Sequence, residues 1–405
     1  MNRTIRSSTS DRRHVDHFHW IAQLVRIGVL CFTPVFAQSP PPNLDYKLKP
    51  INLPGATGAV ALDYFAYDGA TGKLWVPASN TGSVDVIDGE TGAVTQITGF
   101  PTGEIERPGR KITVGPTAAS IGDGVVYIGD RGDSTLCIVD ARTLERGECV
   151  PVSQDRTVTP DGVVYVPATR EVWVTLRVKS GDNAAAKSLA IFDASDPHHL
   201  KSKTKIPLEN LAEGYAVDNE RGLFYTNIED AGKTVAIDVH SRKVVSQWNP
   251  GSTEVGGLAL DAARGFLFVA SGDHIVNLDA GHDGKVLDSI QTGAGLDNID
   301  YSAEKKLLYA AAGQAATLTI AEVGDNGKFH LKATVPTVKG ARSVVAGKGE
   351  TAYLIDPAEG RILKLIHNNS APAKRVICLW ISVPRSRAAP AGRLAPAAAK
   401  RLTPR

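Results

Sequence analysis

An aromatic residue recurs seven times along the chain at nearly regular intervals, and this repeat limits the possible folds more than any other feature. Each aromatic lies in a short apolar segment that precedes a turn and a second apolar segment. The seven positions are Trp75, Tyr127, Trp173, Tyr225, Phe268, Tyr309 and Tyr353, at spacings of 52, 46, 52, 43, 41 and 44 residues. A strand repeat of this length is typical of four-stranded antiparallel blades that bury their faces against neighbouring blades.

The two ends of the repeat complement each other. The last unit lacks a fourth strand, and an unpaired strand, Tyr46 to Leu53, precedes the first unit. If the early strand completes the last blade, the ring closes and neither edge is left open, whereas a solenoid would leave both edges exposed. We therefore predict an all-β fold, a seven-bladed β-propeller of four-stranded antiparallel blades closed by an N-terminal strand.

The clearest unit runs from Leu74 to Asp88 and continues through Thr91 to Val94. Its strand and turn sequence resembles the YVTN repeat of bacterial β-propellers, the group that includes the periplasmic YncE-like proteins. The resemblance covers about residues 46–369. It implies an exported propeller that binds a ligand or a surface, and it implies no named reaction.

The segments outside the repeat have other compositions. Residues 1–37 carry basic residues, then an apolar run, and end in a small-residue cleavage pattern at Ala37, which predicts a signal peptide. The apolar run is shorter than the roughly 20 residues of a membrane-spanning helix. We expect a linker at 38–45, the propeller at 46–369, a disordered basic tail rich in Ala, Pro and Arg at 370–405, and a periplasmic or secreted protein with no transmembrane segment after cleavage.

Charge and motifs narrow the function classes. Lys and Arg number 45 and Asp and Glu 43, so the chain has no global field that favours nucleic acid. The sequence contains no Cys-x-x-Cys-His, no Gly-x-Ser-x-Gly and no Gly-x-x-x-x-Gly-Lys motif, which disfavours haem, acyl-transfer and nucleotide chemistry. We expect a monomer without haem or nucleotide.

The candidate site follows from the blade register. The innermost strand of each blade borders the central channel, so the residues at its start converge on one mouth. We call these seven positions the inner ring: Asp63, Thr117, Asp161, Glu213, Gly256, Asp297 and Arg342. The sequence thus predicts a ligand site at this mouth, and three aromatics beside the acids are positioned to plug the channel: Tyr64, Phe65 and Tyr215.

The four ring carboxylates have two interpretations. Asp63, Asp161, Glu213 and Asp297, with Asn298 and Glu254 nearby, form an oxygen ligand set suited to Ca²⁺ or Mg²⁺. Alternatively, the acids accept backbone hydrogen bonds or pair with Arg342. The layout is similar to that of gluconolactonase-like propellers, so a metal-dependent lactonase is the enzymatic alternative to a non-enzymatic binding or interaction module.

Two cysteines fall on successive predicted strands of the second unit. Antiparallel neighbours bring β-carbons to bridging distance, so Cys137 and Cys149 are candidates for a disulfide. Two buried free thiols are the alternative.

Overall fold

Short strands and tight turns make up the part of the chain that the computed structural model describes, residues 45–107 and 109–368. The strands pair into seven antiparallel four-stranded sheets and one two-stranded sheet. The all-β, seven-bladed prediction is confirmed. Within these ranges, no helix is both long enough and apolar enough to span a membrane.

The strands follow one another from the channel outward in each of blades 1 to 6. The opening strand is β1 (Tyr46–Asn52). Blade 1 contains β2 (Ala66–Asp68), β3 (Lys73–Ala78), β4 (Ser83–Asp88) and β5 (Val94–Thr98), and a hairpin of β6 (Gly103–Arg107) and β7 (Arg110–Val114) follows it. Blade 2 contains β8 (Pro116–Gly122), β9 (Val125–Asp130), β10 (Thr135–Asp140) and β11 (Arg146–Pro151). Blade 3 contains β12 (Val158–Val166), β13 (Glu171–Val178), β14 (Ser188–Asp196) and β15 (His199–Pro207).

The second half of the ring repeats this order. Blade 4 contains β16 (Ala212–Asp218), β17 (Leu223–Ile228), β18 (Lys233–Asp238) and β19 (Lys243–Trp248). Blade 5 contains β20 (Val255–Asp261), β21 (Phe266–Ser271), β22 (His274–Asp279) and β23 (Lys285–Gln291). Blade 6 contains β24 (Leu296–Ser302), β25 (Leu307–Ala312), β26 (Thr317–Val323) and β27 (Phe329–Pro336), and blade 7 contains β28 (Val344–Ala346), β29 (Ala352–Asp356) and β30 (Arg361–His367).

The ring closes through its first strand. β1 pairs antiparallel with β30 over its whole length, from Tyr46 opposite His367 to Asn52 opposite Arg361. The backbone groups of β30 that blade 7 would otherwise leave unpaired are thus satisfied by β1. This is the closure that the unpaired first strand predicted.

The seven aromatics hold neighbouring blades together. All of them lie in the second strand of a blade and are almost completely buried. Trp75, for example, packs against Val126 and Ile128 of blade 2, and Tyr353 packs against Leu74 of blade 1. Seven separate core clusters lie between successive blades, because each twisted sheet buries both faces against its neighbours.

Two local features lie near blade 2. The β6–β7 hairpin was not predicted from the sequence; it is anchored by buried Ile105 and by the Glu106 amide, which donates to the Lys179 carbonyl at 3.0 Å. On β10 and β11, Cys137 and Cys149 lie directly opposite each other and are joined by a disulfide. Between the two alternatives that the sequence left open, the structure has the disulfide.

Candidate functional site

The six inner-ring residues that carry side chains lie at one mouth of the channel. Asp161, Glu213, Asp297 and Thr117 are near the start of innermost strands, and Asp63 and Arg342 lie shortly before the first residues of two others, Ala66 and Val344. The seventh position, Gly256, contributes no side chain, and a β-carbon there would be 3.0 Å from the carbonyl oxygen of Asp297. A larger residue at this position would therefore require the backbones of blades 5 and 6 to move slightly apart.

Arg342 joins three blades. One of its guanidinium nitrogens contacts the carboxylate of Asp297 in blade 6, and the other is 3.5 Å from the carboxylate of Asp63 in blade 1. Arg342 is 41% exposed, whereas the carboxylates of Asp63 and Asp297 are 14% and 17% exposed. The pairing of an inner-ring acid with Arg342, one of the two interpretations drawn from the sequence, is present here.

A second arginine continues the series. Arg131, at the end of β9, contacts the carboxylate of Asp161 in blade 3 and lies 3.6 Å from that of Asp63. Its Nε also donates to the Pro160 carbonyl oxygen at 3.2 Å. Arg131 begins an Arg-Gly-Asp-Ser turn in which the Gly132 amide donates to Asp130. The arginine of this turn therefore points into the channel mouth.

A third arginine bonds three acids. Arg177 donates from Nε to Asp161 at 2.9 Å, contacts Glu213, and donates to both carboxylate oxygens of Glu229 at 2.5 and 2.6 Å. Burial would by itself lower the pKa of Arg177, but its bonds to Glu229 and the charge of Glu213 raise it above the ordinary value. Burial raises the pKa of Glu213, and the charge of Arg177 opposes that rise.

Together these side chains form an ion-pair network that passes through every blade except blade 5. Its members are Asp297, Arg342, Asp63, Arg131, Asp161, Arg177, Glu213 and Glu229. Five carboxylates and three guanidinium groups leave a formal excess of two negative charges. The mouth of the channel is therefore acidic even though its acids are paired.

Sequence reasoning missed Arg131, Arg177 and Glu229, although the repeat contained the signal. Each lies four residues after the aromatic of its blade, at or just after the end of the second strand. Because the second strand runs antiparallel to the innermost strand, its end lies beside the start of that strand. The same register therefore points to a second ring of positions, at the ends of the second strands, that lies beside the inner ring.

The cation prediction concerns the same carboxylates. Within residues 45–107 and 109–368, no group of three or more His, Cys, Asp or Glu side chains is arranged to hold a metal ion. An ion at the inner ring would have to compete with Arg131, Arg177 and Arg342 for the acids. Of the two other residues named for this site, Glu254 is exposed and Asn298 donates to the Ser343 hydroxyl at 3.2 Å. The metal site remains a prediction.

Two tyrosines cross the channel behind the network. The Tyr64 hydroxyl, from blade 1, donates to Glu213 in blade 4 at 2.7 Å, and its ring stacks on Tyr215 at 5.5 Å between centroids. Phe65 also borders the channel, but its buried ring packs in the core between blades 7 and 1. The tyrosine pair lines a cavity of about 350 Å³, and Asp63 is the member of the network that also lines it.

On the outer side, the network borders a cleft of about 230 Å³. Asp63, Arg131, Arg342 and Thr117 line its polar side, and the β7 hairpin strand adds the apolar side chains of Ile112 and Val114. The cleft therefore presents charged groups within a partly apolar wall, which is the usual chemistry of a small binding site.

Comparison with known proteins supports the fold. No family model matches the chain, and no curated protein matches its sequence. Many solved structures share the fold, and three of them illustrate the likeness. They are the Kuenenia stuttgartiensis hydrazine synthase (TM-score 0.60, 13% identity, 76% of this chain and 96% of that one), a chain of the mitotic checkpoint complex (0.61, 13%, 87% and 98%) and U3-55K (0.60, 10%, 80% and 99%). At these identities the likeness concerns the seven-bladed propeller alone.

Proposed function

We propose that this propeller is a non-enzymatic binding module whose channel mouth binds a positively charged group of its ligand. The observation that carries the proposal is the acidic excess of the ion-pair network, whose Glu229 carboxylate is 28% exposed and whose Asp63 lines the adjoining cleft together with Arg131 and Arg342. A cationic group of the ligand would neutralise carboxylates that three arginines only partly compensate.

The predicted export of the protein from the cytoplasm agrees with a role in ligand binding. The predicted signal peptide, residues 1–37, lies outside the described residues, and with its removal the module would act in the periplasm or outside the cell. The Cys137–Cys149 disulfide supports this placement, because disulfides persist mainly in oxidising compartments. The resemblance to YVTN-repeat propellers, which the comparisons do not test, points to the same location.

The proposal is tested with two cationic probes on the purified chain, a short Lys- and Arg-rich peptide and CaCl₂, by isothermal titration calorimetry at low and high salt. We expect the peptide to bind and the affinity to fall with salt. Asp63→Asn and Glu229→Gln should each weaken binding. Glu209→Gln is the matched control, since Glu209 is an exposed acid beside blade 4 that pairs with Lys233 and is not part of the ion-pair network.

Other outcomes change the conclusion. If an acidic peptide binds as tightly as the basic one, or if both acid variants bind like the wild type, the proposal is wrong. Tight binding of Ca²⁺ that depends on Asp63 and Asp161 would instead establish the cation site. A parallel screen of lactone hydrolysis, with and without chelator, decides the lactonase alternative: chelator-sensitive turnover would replace the binding proposal with an enzymatic one.

A further inference from the structure

The cavity behind the tyrosine pair has a composition unlike that of the mouth. Its volume is about 350 Å³, and its lining residues include Tyr64, Phe65, Tyr67 and Tyr215. Among the described residues that line it, there is no Lys, Arg or His; the ionisable acids are Asp63, which is paired with arginines of the network, and Asp300. The cavity is therefore lined by aliphatic and aromatic side chains, with Asp300 as the carboxylate that lies outside the ion-pair network.

Asp300 lies in the innermost strand of blade 6 and has no cationic partner within residues 45–107 and 109–368. Its carboxylate accepts hydrogen bonds from the amide of Tyr301 at 2.7 Å and, across the gap to blade 7, from the amide of Ala346 at 2.8 Å. Burial raises the pKa of Asp300 to about 6, and the hydrogen bonds from the two backbone amides limit this rise. At a pH well above this value, Asp300 carries a half-buried negative charge that no Lys, Arg or His of the described residues pairs.

The aromatic wall is held rigidly. The Tyr64 hydroxyl is fixed by Glu213 and accepts a hydrogen bond from the Gly214 amide at 3.3 Å. Tyr215 stacks on it, and a β-carbon at Gly162 would come within 2.4 Å of the Tyr215 ring, so the glycine leaves room for this ring orientation. Fixed aromatic rings attract cations through their negative faces, most strongly where water is excluded.

A second depression adjoins the cavity from the opposite face of the ring. A wider groove of about 860 Å³ lies there between blades 6, 7 and 1 and shares Tyr67, Asp300 and Ala346 with the cavity. A ligand entering by this groove would reach Asp300 without passing the ion-pair network.

We infer that this cavity binds a small organic ammonium ion, with its charged nitrogen near Asp300 and its substituents against Tyr64 and Tyr215. The volume lies at the lower end of the range for small-molecule pockets, which suits an amine of modest size. The inference uses a second site on the far side of the tyrosine pair and does not depend on the function proposed for the mouth.

The test uses the full chain with benzylamine and choline as probe cations and benzyl alcohol as the uncharged analogue, measured by calorimetry near pH 8, above the pKa of Asp300. Both cations should bind, and benzyl alcohol should bind at least roughly tenfold more weakly. Asp300→Asn should reduce cation affinity by at least about tenfold. The control is Asp85→Asn, because Asp85 is also a buried acid with a raised pKa but lies in a blade core away from the cavity.

A second pair of variants keeps the test decisive if Asp300→Asn fails to fold. Tyr215→Phe retains the ring and should bind the cations like the wild type, whereas Tyr215→Leu should bind them more weakly. The inference is overturned if neither cation binds at millimolar concentration, if benzyl alcohol binds equally well, or if Tyr215→Leu and a folded Asp300→Asn both match the wild type. The mouth variant Glu229→Gln should leave calorimetric binding of benzylamine unchanged, because Glu229 belongs to the ion-pair network and does not line the cavity, and this separates the site from the one proposed above.

Discussion

Replacing Arg177 with Gln tests whether the ion-pair network is a structural unit. The substitution leaves the carboxylates of Asp161, Glu213 and Glu229 facing one another without the cation that joins them. Arg177 is 18% exposed, and the three acids range from 4% to 28% exposed, so water screens them only in part. Removing one partner of such a buried pair typically costs about 3 to 5 kcal/mol.

The corresponding change in melting temperature follows from the size of the ring. With an unfolding entropy of about 2.1 cal/mol/K per residue over roughly 320 residues, this loss lowers Tm by about 4 to 8 °C. The matched control is Lys233→Gln, which removes a cation from the exposed pair with Glu209 and should change stability by less than about 1 kcal/mol. Differential scanning calorimetry measures both variants.

The loss should also depend on pH. Burial already raises the pKa of Glu213, and without the opposing charge of Arg177 it rises further. A glutamate in the unfolded chain has a pKa of about 4.3 and loses its proton above that pH, whereas Glu213 in the folded variant still holds its proton. Because the folded state then binds more protons than the unfolded state, the free energy of unfolding of the variant decreases as the pH rises above about 4.3. We expect a larger Tm difference from wild type at about pH 8 than at about pH 5. A Tm within about 1 °C of the Lys233→Gln control, or a difference that shrinks as pH rises, would refute this reasoning.

Three further predictions concern the fold. Without reductant, Cys137 and Cys149 should resist alkylation in denaturant, and reduction should cost about 3 kcal/mol because the bridge spans 12 residues; full labelling without reductant would contradict the disulfide. Deleting residues Tyr46–Asn52 should expose β30 as an open edge and cause association in size-exclusion chromatography, whereas a monomer with unchanged Tm would show that the closure adds nothing. Trp75→Ala should cost about 3 to 5 kcal/mol by urea unfolding, against less than about 0.5 kcal/mol for exposed Leu331→Ala; equal losses would argue against the inter-blade role of the aromatic.

The inner ring shows how much of the candidate site can be predicted from the strand register of the blades alone. Counting back from the aromatics located Asp63, Asp161, Glu213 and Asp297 at one mouth because every blade repeats the same strand geometry. The partners of these acids were harder to find. No local pattern marks Arg131 or Arg177 as a partner, since their contacts join different blades and depend on how the blades pack around the channel.

The sequence by itself determined the repeated strands, the number of blades and the closing strand, because these depend on local hydrophobic patterns and on pairing between known neighbours. Only the tertiary structure decided that three arginines pair with the ring acids and that Tyr64 crosses from blade 1 to Glu213 in blade 4. It also decided that Asp300 lines a cavity whose described lining residues include no Lys, Arg or His. Such contacts join residues as much as 279 positions apart, as between Asp63 and Arg342, and no local pattern specifies them.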